Sequence, residues 1–392
     1  MRLDDRQRQL DARLHASRDL WHPQPFRAAQ PAWCARWPAL TKELLALSDA
    51  DAARLNDDGG AALALLAGHV PEVAALAPLA SLPQLPAAAG GGHGVRWAWE
   101  IPGRKRQQIE AFAAAARPCG APVVDWCGGK GHLGRLLAVE WGVPVRTLEI
   151  DAHLCAAGAG LAGRVPVAQE FVVADVLTAT NWPRPGQHAV ALHACGDLHR
   201  SLIERGAAAG VSRLDVAPCC YHRGVAERYR PLSGTLHTQL TRDDLRLAVT
   251  EAVTASPRLV RQRDREMAWK LGFDAWRRMS SPAGAYQTFK PVPAAWFRGG
   301  FADFLARMAA REGLPLPAAG LAESLESSGW HRQREVMRLS IVRHAFRRAL
   351  EVWLALDLAM YLAGQGYAVD LGSFCERRVT PRNLLISAQL SG

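Results

Sequence analysis

The chain has no run of 18 apolar residues free of charge or proline. Its most apolar stretches, Ala61–Ala80 and Val352–Ala363, carry His69, Pro71 and Glu72, or Asp357. A membrane-crossing helix needs about 20 consecutive apolar residues, so none is expected. No apolar segment follows the charged opening Met1-Arg-Leu-Asp-Asp-Arg6, which speaks against a secretory signal. No C-x-x-C pair occurs. Eight cysteines in 392 residues are too few for a disulfide framework, and the adjacent Cys219 and Cys220 fit poorly with a closed zinc site built from C-x-x-C arms. A reducing cytoplasm is the expectation. Lysine is scarce: Lys42, Lys105, Lys130, Lys270 and Lys290 are the only five among 47 basic residues. Few lysines with abundant alanine is what a G+C-rich coding sequence produces. The formal charge of +10 is therefore only mild support for a polyanionic partner such as RNA. Internal repeats are absent as well.

What is present divides into parts. The length calls for two or three structural units. Residues 1–95 read as helical: Ala and Leu dominate and prolines interrupt at Pro23, Pro25, Pro31, Pro38 and Pro71. Gly90-Gly91-Gly92 reads as a linker or loop. From 96 to 255 the texture alternates. Helix is expected over Arg104–Ala116, His132–Trp141, Ala152–Gly160 and Leu198–Ala209. Strand is expected over Pro122–Trp126, Val145–Ile150, Phe171–Ala174, Ala189–His193 and Leu214–Ala217. Such alternation argues for a parallel α/β sheet with right-handed crossovers. Thr241-Arg-Asp-Asp244 starts a further helix with a capping-box pattern, followed by Leu245, Ala248, Val249 and Ala252 at helical spacing. Residues 256–365 read as an arginine-rich helical insertion that includes one long helix, Glu335–Leu362. Residues 366–392 contain Tyr367–Val369 and Leu384–Ala388, expected to close the sheet as antiparallel strands.

The densest chemistry lies in Val123-Val-Asp-Trp-Cys-Gly-Gly-Lys-Gly-His-Leu-Gly134. A strand ends in Asp125, a glycine-rich turn follows, and a helix begins. Glycines let the turn bend sharply and let a ligand lie against bare backbone. The helix N-terminus suits a carboxylate or phosphate. Gly129-Lys-Gly-His-Leu-Gly134 formally satisfies the dinucleotide pattern G-x-G-x-x-G. Asp125 argues against that reading, because a carboxylate before the turn would repel a pyrophosphate. It suits a cofactor carrying an ammonium and a sulfonium, as S-adenosylmethionine does. Glu149 ends the second strand, where a carboxylate can accept from both ribose hydroxyls, and Asp175 ends the third, placed to meet an adenine amino group. Two further strand ends, Ala191-Leu-His-Ala-Cys-Gly-Asp197 and Ala217-Pro-Cys-Cys-Tyr-His222, gather His193, Cys195, Asp197, Cys219, Cys220, Tyr221 and His222 on one rim. His193, Asp197 and His222 are candidate bases, and Tyr221 a candidate platform for an acceptor. Cys219 or Cys220 could serve as a nucleophile, although methyl transfer needs no covalent intermediate. No metal site is expected. Arg258, Arg261, Arg263, Arg265, Arg277 and Arg278, and the arginines of Arg332–Arg348, lie near Trp269, Trp276 and Trp330 in sequence. They form a candidate RNA surface, or else a solvated helix face over a tryptophan-bearing core.

Five stretches in order resemble one methyltransferase family: Gly103-Arg-Lys-Arg-Gln-Gln-Ile109, Val124-Asp-Trp-Cys-Gly-Gly-Lys-Gly-His-Leu133, Leu192-His-Ala-Cys-Gly-Asp-Leu198, Pro218-Cys-Cys-Tyr-His222 and Thr380-Pro-Arg-Asn-Leu-Leu385. The family includes the methyltransferase-like twenty-five proteins and the methyltransferase domain of the glutathione-S-transferase C-terminal-domain-containing protein. The resemblance runs from about Arg104 to the end and is weaker between Ser281 and Gly329. It implies a Rossmann-like class I fold, a parallel sheet closed by an antiparallel C-terminal strand. It also implies S-adenosylmethionine at Asp125, Gly129, Gly131, Glu149 and Asp175. Cys127 stands where the general loop has its first glycine, which narrows the pocket floor. A Cys-Cys pair also occurs in similar tRNA ribose methyltransferases, so the expected acceptor is RNA, docked by the arginine-rich helices. The alternatives are a protein or small-molecule acceptor, an NAD(P)-dependent oxidoreductase, and a non-catalytic RNA-binding module.

Overall fold

The computed structural model describes residues 1–88, 95–250, 256–280, 286–318 and 320–391. The Gly90–Gly92 run falls outside them. Two compact units form. The first comprises Met1–Ala16, Ala75–Val253 and Arg347–Gly392, and the second Ser17–Ala74 and Thr254–Phe346.

These units cut across the four segments read from the sequence. Helix α1 (Leu3–Ala16) belongs to the first unit because its apolar stripe is buried there, with Leu10 and Leu14 fully covered. Its Asp11 carboxylate also accepts the N–H groups of His237 and Thr238 and the indole N–H of Trp353. The single helix expected over Glu335–Leu362 is corrected to two. One, Leu321–His344, lies in the second unit; the other, Arg347–Gly364, lies in the first, with Ala345 and Phe346 between them.

Among the described residues the first unit is built on seven strands: β1 Val123–Trp126, β2 Val145–Glu149, β3 Gln169–Val173, β4 His188–Cys195, β5 Arg213–Cys219, β6 Tyr367–Ser373 and β7 Leu384–Leu390. Their order is β3-β2-β1-β4-β5-β7-β6. β1 to β5 run parallel, and β7 is antiparallel to both β5 and β6. The strands β1 and β5 are buried along their whole length, and their charged residues Asp125, Arg213 and Asp215 are hydrogen-bonded there. After α1, the unit's main helices are α2 Gly103–Ala115, α3 His132–Trp141, α4 Ala152–Ala162, α5 Asp197–Ala209, α6 Arg242–Leu247 and α7 Arg347–Gly364. The capping box that starts α6 is formed: Thr241 Oγ1 accepts the Asp244 N–H, and the Asp244 carboxylate accepts the Thr241 N–H. Of the apolar positions expected to continue this helix, Ala252 falls outside the described residues.

Strand order reverses between β1 and β4, and the crevice at that reversal, at the carboxyl ends, is where open sheets bind ligands. The opposite end of β4 and β5 is closed by a buried ion network. His188 Nε2 lies 2.7 Å from Asp215 Oδ2, Arg213 Nε donates to the same oxygen at 3.0 Å, and Trp141 stacks on the His188 ring.

The second unit is helical. Pro257–Ser280 packs along Leu321–His344 so closely that a Cβ on Gly329 would come within 2.2 Å of the Ala268 carbonyl oxygen. Trp269, Phe273, Phe297, Phe301 and Phe304 form its aromatic core. Among the described residues, no helix is long and apolar enough to cross a membrane.

Candidate active site

β1 delivers Asp125, and the chain then turns through three left-handed residues, Cys127, Gly129 and Gly131, before α3 begins. One side of the turn is pressed against the sheet. A Cβ on Gly128 would lie 2.3 Å from Asp125 Oδ2, and one on Gly131 would lie 2.4 Å from Gln169 Nε2. The other side is bare: nothing lies within 4 Å of where a Gly129 Cβ would stand. This is the open backbone cradle that a cofactor needs.

The carboxylates take unequal positions. Asp125 is 1% exposed and sits behind the turn, accepting the Gly134 N–H at 3.2 Å and the Thr147 hydroxyl at 3.3 Å. Burial pushes its pKa up to about 6, against the pull of those two hydrogen bonds. Asp125 thus braces the loop from inside. Glu149, half-buried at the end of β2, accepts the Gly129 N–H with Oε2 and the Ile150 and Asp151 N–H groups with Oε1. Asp175, just past β3, accepts the Leu177 N–H. Burial, with Glu149 and Asp125 nearby, raises the Cys127 thiol to about 12, so it stays protonated.

On the neighbouring rim, His193 is held at φ +65°, its Nε2 3.2 Å from Gln108 Oε1 on α2. Burial and the Arg382 cation lower its pKa to about 4, leaving a neutral imidazole at pH 7. Burial also lowers the pKa of His222. Asp197 opens α5 and packs under the Gly224 turn, where any Cβ would strike its carboxylate. A cavity of about 890 Å³ opens beside it, lined also by Arg200, Arg228, Tyr229 and Arg230. Tyr221 departs from expectation. It is 2% exposed, edge-on to His199, with its hydroxyl buried and unpartnered, so it offers no platform to an acceptor. Cys219 is buried, Cys195 and Cys220 half-buried. Of these three thiols Cys220 is the one whose pKa falls, because Cys195 and Cys219 hydrogen-bond to it and Arg223 lies near.

Gln108, Lys105 and Arg382 were not singled out from the sequence. Lys105 and Arg382 act electrostatically on His193, and Gln108 contacts it directly. The signal was present: the first two lie in Gly103–Ile109 and the third in Thr380–Leu385, two of the five family-like stretches.

The arginine surface is smaller than expected. Trp269 is core, with its indole N–H on Glu326. Arg277 is buried against Asp274, which Arg278 also engages. Arg332 donates to the carbonyls of Pro25 and Ala28, and Arg343 to that of Trp21. Arg343 and Arg347, expected on one helix face, belong to different helices. Arg258, Arg261, Arg265 and Arg298 remain together, all exposed, around a cavity of about 360 Å³ whose lining contains no carboxylate.

The sheet order, the antiparallel β7 and the glycine turn at the switch point define a Rossmann-like, class I methyltransferase fold. Residues 104–227 match a protein family described as a methyltransferase domain. This part of the chain is an S-adenosylmethionine-dependent methyltransferase domain. No curated protein sequence matches the chain. Similar solved structures include an rRNA methylase from Streptococcus thermophilus (15% identity, 30% of this chain and 71% of that one, TM-score 0.24). Others are the cyclopropane synthase MmaA2 from Mycobacterium tuberculosis (13%, 73% and 82%, 0.26) and the 23S rRNA methyltransferase ErmE (18%, 60% and 96%, 0.25). At these scores none bears on the acceptor.

Proposed function

We propose that the protein methylates RNA, binding S-adenosylmethionine at the β1 turn and docking the RNA backbone with exposed arginines of the second unit. The bound cofactor supplies an electrophilic methyl on a sulfonium. Gly129 and Gly131 give it bare backbone, Glu149 takes its ribose hydroxyls, Asp175 takes its adenine amino group, and Asp125 and Cys127 shape the floor. His193, neutral at pH 7, and Asp197 beside its cavity are the groups that accept the acceptor's proton; the rest of the catalysis is positioning. The five ordered stretches support membership of the methyltransferase-like twenty-five type.

The observation that carries the RNA reading is the cavity of Arg258, Arg261, Arg265 and Arg298 without a carboxylate. Four guanidiniums with no acid among them match phosphates, which each can engage in a bidentate pair. The test is anisotropy titration of labelled tRNA and rRNA fragments across a salt series. Affinity falls steeply with salt, and the Arg258→Glu/Arg261→Glu variant binds more weakly with a shallower salt slope. Methyl label from the cofactor enters RNA from cells lacking the gene. A flat salt response, or label entering only protein or small molecules, overturns it.

A further inference from the structure

Three cysteine sulfurs converge at the carboxyl ends of β4 and β5. Those of Cys195, Cys219 and Cys220 all lie within 4.8 Å of one another, and Cys195 and Cys219 are 3.6 Å apart. The backbone would not do this unaided. Successive side chains of a strand point to opposite faces, so Cys219 and Cys220 should diverge. Cys220 instead adopts φ +46°, and its sulfur returns to the side of Cys219. On β4, His193 adopts φ +65° and the ladder to β5 slips between Leu192 and Cys195, which re-aims Cys195 toward the pair. Left-handed backbone at a residue other than glycine is strained. Two such residues flank one cluster of thiols.

We propose that Cys195, Cys219 and Cys220 form a three-thiolate site for a soft divalent cation, Zn²⁺ by preference. Thiolate–zinc bonds of about 2.3 Å place tetrahedral sulfurs about 3.8 Å apart, close to the Cys195–Cys219 separation. The donor set holds sulfur and no oxygen, which excludes Mg²⁺ and Ca²⁺. Binding forms three Zn–S bonds and releases to solvent the proton of each cysteine still in the thiol form; no electrons move. The His193 carbonyl lies 3.6 Å from the Cys195 sulfur and 3.3 Å from that of Cys219. Three protein donors leave one coordination position open, as in reactive rather than closed sites. The buried Nδ1 atoms of His193 and His222, both without a hydrogen-bond partner, flank the cluster in sequence. The ion ties the end of β4, which carries His193 and leads into Asp197, to the end of β5. The inference rests on the cysteine geometry and not on the methyl acceptor.

The test uses the full chain, with elemental analysis after equilibration with ZnCl2 and optical titration with Co²⁺ under reducing conditions. One metal per chain is expected. Co²⁺ should give thiolate-to-cobalt charge transfer and the intense visible bands of a tetrahedral sulfur site. Cys195→Ser, Cys219→Ser and Cys220→Ser each weaken Zn²⁺ binding by more than the roughly 10–100-fold that loss of an outer-shell partner costs, and Cys155→Ser does not. Circular dichroism verifies folding, and half-buried Cys220 supplies the substitution that disturbs packing least. The idea is overturned if folded wild-type protein holds no metal above background. It is equally overturned if the cobalt spectrum survives Cys220→Ser. Calorimetry with S-adenosylhomocysteine on the same samples reports the cofactor site separately.

Discussion

Gly129 and Gly131 share almost the same backbone conformation, with φ +59° and +61°, yet alanine at each should do different damage. The left-handed conformation alone costs alanine roughly 1–2 kcal/mol at either position. At Gly129 nothing more is added to the folded chain, because the new methyl points into open space. At Gly131 the methyl would stand 2.4 Å from Gln169 Nε2 and 2.6 Å from the Phe171 ring. Gln169 cannot simply swing away, since it donates to the Gly131 carbonyl and to Thr147 Oγ1. Overpacking of this kind adds about 1–3 kcal/mol, so Gly131→Ala should lose roughly 2–5 kcal/mol in all. The order reverses for cofactor binding. The Gly129 methyl occupies the face the cofactor must lie against, and a displacement worth about 1–3 kcal/mol weakens binding roughly 5- to 150-fold. Denaturant unfolding without ligand gives the first ranking, and calorimetry with S-adenosylhomocysteine the second. Equal destabilisation by the two variants would refute the argument, as would unchanged affinity in Gly129→Ala.

Two further outcomes concern protons. Asp125 has its pKa raised by burial to about 6, so its stabilising contribution is fully present below the unfolded value of about 3.9 and is lost as pH rises through 6. Asp125→Asn, which can still accept from Gly134 and Thr147, should therefore stabilise the ligand-free protein by at most about 3 kcal/mol at pH 8 and little at pH 4, read from melting temperatures; a loss at pH 8 sinks the claim. Arg382 holds the His193 pKa down, so Arg382→Met should move the acidic limb of kcat/KM to higher pH from near 4; an unmoved limb means His193 does not carry the proton.

The sheet was readable because β1, β4 and β5 are apolar runs between turn residues, a pattern that only a doubly covered strand needs. Their ends were less so: β4 and β5 run on to Cys195 and Cys219, polar-looking positions that pairing nonetheless includes. The break at Ala345-Phe346 left no trace, because both flanking helices keep apolar spacing and neither glycine nor proline marks the gap. Side-chain direction was the other blind spot. A tyrosine after a strand end can face solvent or core, and only the packing of His199 against it decides for Tyr221. Gln108 meets His193 across 85 positions, a contact no local pattern encodes.

The segmental make-up of the first unit has a consequence for its birth on the ribosome. β5 finds its outer neighbour, β7, only after residues 220–383 have been made. At roughly 5–20 residues per second that is on the order of ten to thirty seconds with a hydrophobic strand edge unsheltered. α1 likewise waits for Trp353 to arrive. A fragment stopping at residue 227 would carry every carboxylate of the glycine turn and still lack the strands and helix that let it fold, so nascent chains should depend on chaperones until translation ends.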